Sequence, residues 1–119
     1  MQDFRDLQVW QKAHLLVLDV YVLCQQLPDA ERYGLTSQLR RAAVSIPANI
    51  AEGRGRHTDK DFAHFLQIAL GSAFEVEYYI QLAFDLNYIE AQTHQTLTEA
   101  VNEVKKLLIR FLTTLTMLH

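Results

Sequence analysis

Little in this chain interrupts a helix. Two prolines and four glycines are spread over 119 residues, half of which are hydrophobic. A polypeptide so poor in turn formers predicts long helices on a shared core rather than a loop-rich or disordered chain. The single cysteine, Cys24, excludes an internal disulfide; set in the apolar run LLVLDVYVLC, it reads as a small buried hydrophobe in a reducing compartment. No run approaches the roughly 18 uninterrupted apolar residues of a membrane span. The stretch MQDFRDLQVW has charges where a signal peptide needs its apolar centre, so a cytoplasmic protein without a membrane segment is expected.

Patterns that carry chemistry are scarce too. A di-iron site in a helical bundle needs paired Glu-x-x-His motifs, and no Glu here has His three positions on. His57, Asp61 and His64 are spaced by four and three, but His57 lies just before a helix start expected at Thr58, so no metal is expected there. The run Gly53-Arg54-Gly55-Arg56 follows a helix rather than a strand and lacks the Lys-Ser/Thr ending of a phosphate-cradling loop. It does precede a helix amino terminus, where backbone N–H groups favour an anion. Ser37 and Ser45 have no histidine in their own segment. Neither a cofactor nor an enzymatic activity is expected.

What is present is helical periodicity. Val9, Ala13, Leu16, Val20, Leu23 and Leu27 step by four and three, the spacing that keeps one seam against supercoiled neighbours, and predict a first helix from about Asp6 to Leu27, ended by Pro28. A second line of Trp10, Val17, Tyr21 and Cys24, with Leu15, Leu18 and Val22 beside it, makes that helix apolar over more than one face. Either it is central or another subunit covers it. Leu39, Ala43, Ile46 and Ile50 define a second helix from Leu35 to Glu52, with Gly53 as a left-handed terminator and a kink expected at Pro47. Thr58 with Asp61 is a capping pattern opening a third helix over 59–86, along Phe62, Leu66, Ala69, Ala73, Val76, Ile80 and Ala83. The Gly71-Ser72-Ala73 notch would meet the small face of helix 2. Asn87 would end helix 3. A fourth helix, starting between Glu90 and Thr96, carries Leu97, Val101, Val104, Leu108, Phe111, Leu115 and Leu118. Short connections then give a single all-α domain, 1–119, as an antiparallel up-down-up-down four-helix bundle.

Charge is unevenly placed. The net charge is −3, yet residues 32–60 hold six cations against Glu52 and Asp59, a local +4, which leaves −7 on the rest. A basic stretch on an acidic chain suits a polyanion, although charge runs also serve as solvated faces or internal ion pairs. The candidate nucleic-acid contacts are Arg40, Arg41, Arg54, Arg56 and Lys60. Arg54 and Arg56, in a glycine-spaced loop with few neighbours, are the favoured pair. Arg40 and Arg41 are about 100° apart on a helix, so one is expected to serve an interface or pair with Glu52, Glu75 or Glu77.

The stretch YGLTSQLRRAAVSIPANIAEGRGR (33–56), with FRDLQVWQKAH (4–14) and FLQIALGSAFEVE (65–77), resembles the 23S rRNA-intervening sequence proteins over nearly the whole chain. That resemblance implies an antiparallel four-helix bundle assembling as a homopentamer, encoded in some bacteria within insertions in the large ribosomal RNA gene, with no established biochemical activity. The chain is also similar to accessory proteins of diversity-generating retroelements, which form basic pentameric barrels acting with a reverse transcriptase and nucleic acid. No catalytic residue is implied. Two readings compete: an oligomer binding RNA or DNA through the five cations, and a scaffold for another protein.

Overall fold

The heptad-spaced stretches become four helices in a computed structural model that describes residues 3–117: α1 (Gln8–Cys24), α2 (Leu35–Arg54), α3 (Asp59–Asp85) and α4 (Ala91–Met117). No strand occurs among the described residues. Helix α1 touches α2 and α4, α2 packs on α3, and α3 on α4, while the diagonal pairs do not meet. Contacts pair residues in opposite numerical order along neighbouring helices. Tyr21 meets Arg40 whereas Trp10 lines one hollow with Ala48 and Ala51; Phe62 meets Phe111 whereas Gln81 meets His94.

The core lies where the spacing placed it. Ala13, Val20, Leu39, Ala43, Ile46, Ile50, Leu66, Ala69, Ala73, Val76, Ile80, Val101 and Leu108 are fully enclosed. Each large aliphatic side chain among them contributes about 1.5–3 kcal/mol relative to exposure. One position differs: Phe111 is half-buried, edge-on to Phe62 at 5.2 Å, and Leu112 takes the inner site beside Leu108 and Leu115. Leu118, expected to close this seam, lies outside the described residues.

The helix ends follow local chemistry, with three corrections. Helix α1 begins at Gln8 rather than Asp6, because Asp3 starts a separate 3-10 turn, Phe4–Asp6, its carboxylate accepting the Arg5 N–H at 2.8 Å. That bond holds the Asp3 carboxyl below its usual range. The helix stops at Cys24 rather than Leu27: the N–H groups of Gln25, Gln26 and Leu27 each reach only three residues back, a tighter winding that leads into Pro28. Leu27 nevertheless stays buried. Helix α2 runs past Glu52 to Arg54 and is capped by Gly55, and no described glycine has a positive φ, so Gly53 is not a left-handed terminator. A Cβ at Gly53 would fall 2.7 Å from Phe65 Cβ and 2.9 Å from Phe62 Cδ1, so the residue is small because α3 passes against it. As expected, Thr58 Oγ1 accepts the Asp61 N–H at 3.1 Å. Asn87, at φ 63°, ends α3, and the Tyr88 N–H returns to the Ala83 carbonyl.

The small faces of α2 and α3 do meet. Ser72 Oγ donates to Ser45 Oγ at 2.9 Å, and Asn49 Nδ2 donates to the Ser45 hydroxyl and carbonyl. Ser72 and Ala73 are buried in this contact, whereas a Cβ on Gly71 would touch nothing within 4 Å.

A candidate nucleic-acid interface along helix α2

Helix α2 carries three of the five candidate cations and divides them between its ends. Arg40 and Arg41 lie in its second turn and Arg54 is its last residue, which separates the two groups by about 21 Å along the axis at 1.5 Å per residue. Arg56 follows in the turn, and Lys60 sits in the first turn of α3. No single phosphate reaches both ends, but an extended polyanion does.

At the far end the expectation of unencumbered arginines fails. Because α2 winds on to Arg54, that side chain is half-buried, with its guanidinium 5.8 Å from the Phe62 ring centroid. Arg56 is exposed but pairs with Glu52 at 3.0 Å, four residues back, and lies 4.7 Å from the Phe65 centroid. An exposed pair of this kind contributes about 0–1 kcal/mol and leaves the cation accessible to a competing anion. Lys60 is exposed beside a hollow lined by Thr58, Ala63 and Leu115.

At the near end the two consecutive arginines diverge, as helical geometry requires. Arg41 is exposed. Arg40 is half-buried, its guanidinium 4.9 Å from the Tyr21 centroid, and its Nε is enclosed without a hydrogen-bond partner. Cys24 lies beside it: burial pushes the thiol above its ordinary range, against the opposing pull of the Arg40 charge and hydrogen bond. A buried thiol held protonated is a poor nucleophile. The acids expected to pair with Arg40 or Arg41 are engaged elsewhere. Glu52 holds Arg56, Glu77 holds Lys105 at 2.8 Å, and Glu75 accepts a long bond from the Tyr79 hydroxyl. Arg40 is thus held by an aromatic ring.

Three of the four arginines in question therefore stack on rings, a feature the sequence reading missed. The signal for Arg40 was present in part, since Tyr21 belongs to the second apolar line of α1; Phe62 was assigned only to the inner seam of α3. His57, Asp61 and His64 form no metal-holding group among the described residues. No described helix is long and apolar enough to cross a membrane.

A sequence model of the 23S rRNA-intervening sequence protein family matches residues 5–110. The chain belongs to that family. The match takes in all five candidate cations and all four helices except the last turns of α4. A crystal structure of a protein of unknown function from the S23 ribosomal protein family of Bacteroides thetaiotaomicron is similar, with a TM-score of 0.82 and 28% identity over 87% of this chain and 97% of that one. No curated protein matches the sequence. Within the 23S rRNA-intervening sequence family, then, this chain shares the fold of a solved relative whose own role is open, and function has to be argued from the surface.

Proposed function

We propose that this protein is a non-enzymatic homo-oligomer that binds RNA or DNA through the basic segment 32–60. The observation that carries this reading is the separation of charge, +4 in that segment against −7 elsewhere. Such a distribution attracts a polyanion locally while the acidic remainder repels it, so contact is confined to one region. Stacking on Tyr21, Phe62 and Phe65 supports the reading, because it orients guanidinium groups without consuming their charge.

Self-association supplies the second half. Helix α1 is not central: it has neighbours on two sides only, and Leu15, Leu18 and Val22 remain 54%, 50% and 59% exposed on its outer face. Covering this stripe with further copies, five being the working number, would repeat the basic segment around the assembly and multiply the phosphate contacts. The test is an anisotropy titration against structured RNA and duplex DNA at two salt concentrations, with light scattering to count subunits. Affinity should fall steeply with salt, each phosphate contact adding about 0.9 to the logarithmic slope on duplex DNA. Absence of binding at low salt overturns the proposal. The alternative, a scaffold that binds protein alone, then takes its place, favoured by the exposed Phe74 and Tyr78 on α3.

A further inference from the structure

Between α1 and α2 lies an open groove of about 300 Å³, walled by Trp10, His14 and Val17 on one side and Val44, Pro47 and Ala48 on the other. Its aromatic wall is ordered. The rings of Trp10 and His14 stack at 4.9 Å with 7° between their planes, and Phe4 meets Trp10 edge-on at 5.1 Å. His14 is exposed, so the stack lies at the surface rather than in the core.

Cations stand at both ends of this seam. At one end the Arg5 guanidinium lies 4.4 Å from the Phe4 centroid. At the other, Arg40 lies over Tyr21, followed by the exposed Arg41, one turn before Val44. Asp3 pairs with Arg5 at 3.1 Å, but both side chains are largely exposed, so water already screens the pair. A complementary ligand is planar and apolar in the middle and negative on both sides. A short unpaired stretch of strand has that form and spans the roughly 16 Å of α1 from Trp10 to Tyr21, whereas a duplex keeps its bases stacked inside and presents only phosphates.

We propose that the α1–α2 groove takes a short run of unpaired nucleotides of single-stranded nucleic acid, with one base against the Trp10–His14 stack and phosphates along the strand on Arg5 at one end and on Arg40 and Arg41 at the other. This rests on the nucleic-acid reading above and narrows it to single strands. It also moves the centre of recognition from Arg54 and Arg56 to the side of α2 that faces α1, along Val44, Pro47 and Ala48.

Trp10 is the only tryptophan, so its emission reports directly on the groove. The full-length protein is titrated with a twelve-nucleotide oligouridylate and, separately, with a duplex of the same length, following tryptophan fluorescence and anisotropy. The expected result is a change in emission with the single strand only. His14→Ala, at an exposed position, should weaken single-strand binding roughly five- to hundred-fold, the usual effect of removing one stacking ring, and leave duplex binding unchanged. Val44→Glu, which puts an anion in the groove, should do the same. Circular dichroism and light scattering on both variants establish that fold and assembly persist. Salt-sensitive binding with unmoved tryptophan emission and a wild-type His14→Ala variant would overturn the groove while sparing the broader reading. No binding of any strand at low salt would overturn both. Loss of the oligomer in both variants would identify the groove as a subunit contact and overturn the proposal.

Discussion

The two sides of α2 are built from similar residues and come out differently. Toward α3 the helix offers Gly53 and Ser45, and α3 answers with ring edges and Ser72, so the backbones close until a single Cβ at Gly53 would collide. Toward α1 it offers Pro47, Ala48 and Ala51, and α1 with the turn before it answers with Trp10, His14 and Phe4, whose bulk leaves a groove open to solvent. Small residues alone therefore do not specify close packing. What stands opposite decides whether the space becomes a seam or a site.

Paired glycine substitutions break this comparison most directly and give the largest expected effects. Adding a methyl group at a helical glycine ordinarily stabilises by about 0.5–1 kcal/mol. At Gly53 the new Cβ would meet Phe65 Cβ, an atom fixed to the α3 backbone, so the helices must separate. Gly53→Ala should then cost about 1–3 kcal/mol, the range for overpacked interiors. Gly71→Ala, where nothing lies within 4 Å, should instead stabilise by about 0.5–1 kcal/mol. Urea denaturation of the two variants reads the sign of each; equal signs would refute the contrast.

These glycines also show where sequence reasoning reaches and where it stops. Apart from Phe111, whose inner place Leu112 takes, and Leu118, outside the described residues, the seams could be read because burial there depends on spacing within one helix, and the same holds for Thr58 with Asp61 and for Asn87. Gly53 was misread because a glycine before Arg-Gly-Arg looks like a terminator, while its actual constraint comes from Phe62 and Phe65 in the next helix. Arg56 was misjudged for a related reason: its partner Glu52 is four residues away, but the spacing matters only if α2 continues past Glu52. The pairing of Arg40 with Tyr21 required two helices to be placed side by side. What could not be read was set across helices.

A smaller effect is expected from the hydroxyl contact on the closed side. Ser72→Ala removes the donor to Ser45 Oγ but leaves Asn49 Nδ2 on the same oxygen, so no acceptor is stranded. The cost should be about 0.5–1.5 kcal/mol, that of one ordinary hydrogen bond. Asn49→Ala combined with Ser72→Ala should exceed the sum of the singles, because the half-buried Ser45 hydroxyl then loses both partners; a double-mutant cycle measures the excess.

The smallest change belongs to the open side, and its smallness is the point. Ala48 lies on the groove wall and is exposed, so replacing it with Leu adds apolar bulk where there is room, without moving a backbone or stranding a polar group. Surface substitutions that avoid those features stay within about 0.5 kcal/mol of the parent. Ala48→Leu should therefore leave the urea midpoint nearly unchanged while it fills part of the volume beside His14. A loss comparable to that of Gly53→Ala would mean that the α1–α2 seam is as tightly closed as the α2–α3 seam, and the contrast between them would disappear. Unchanged stability together with weaker binding of a single strand would show the opposite: space on this side of α2 is kept open for a ligand, while space on the other side is used up by α3.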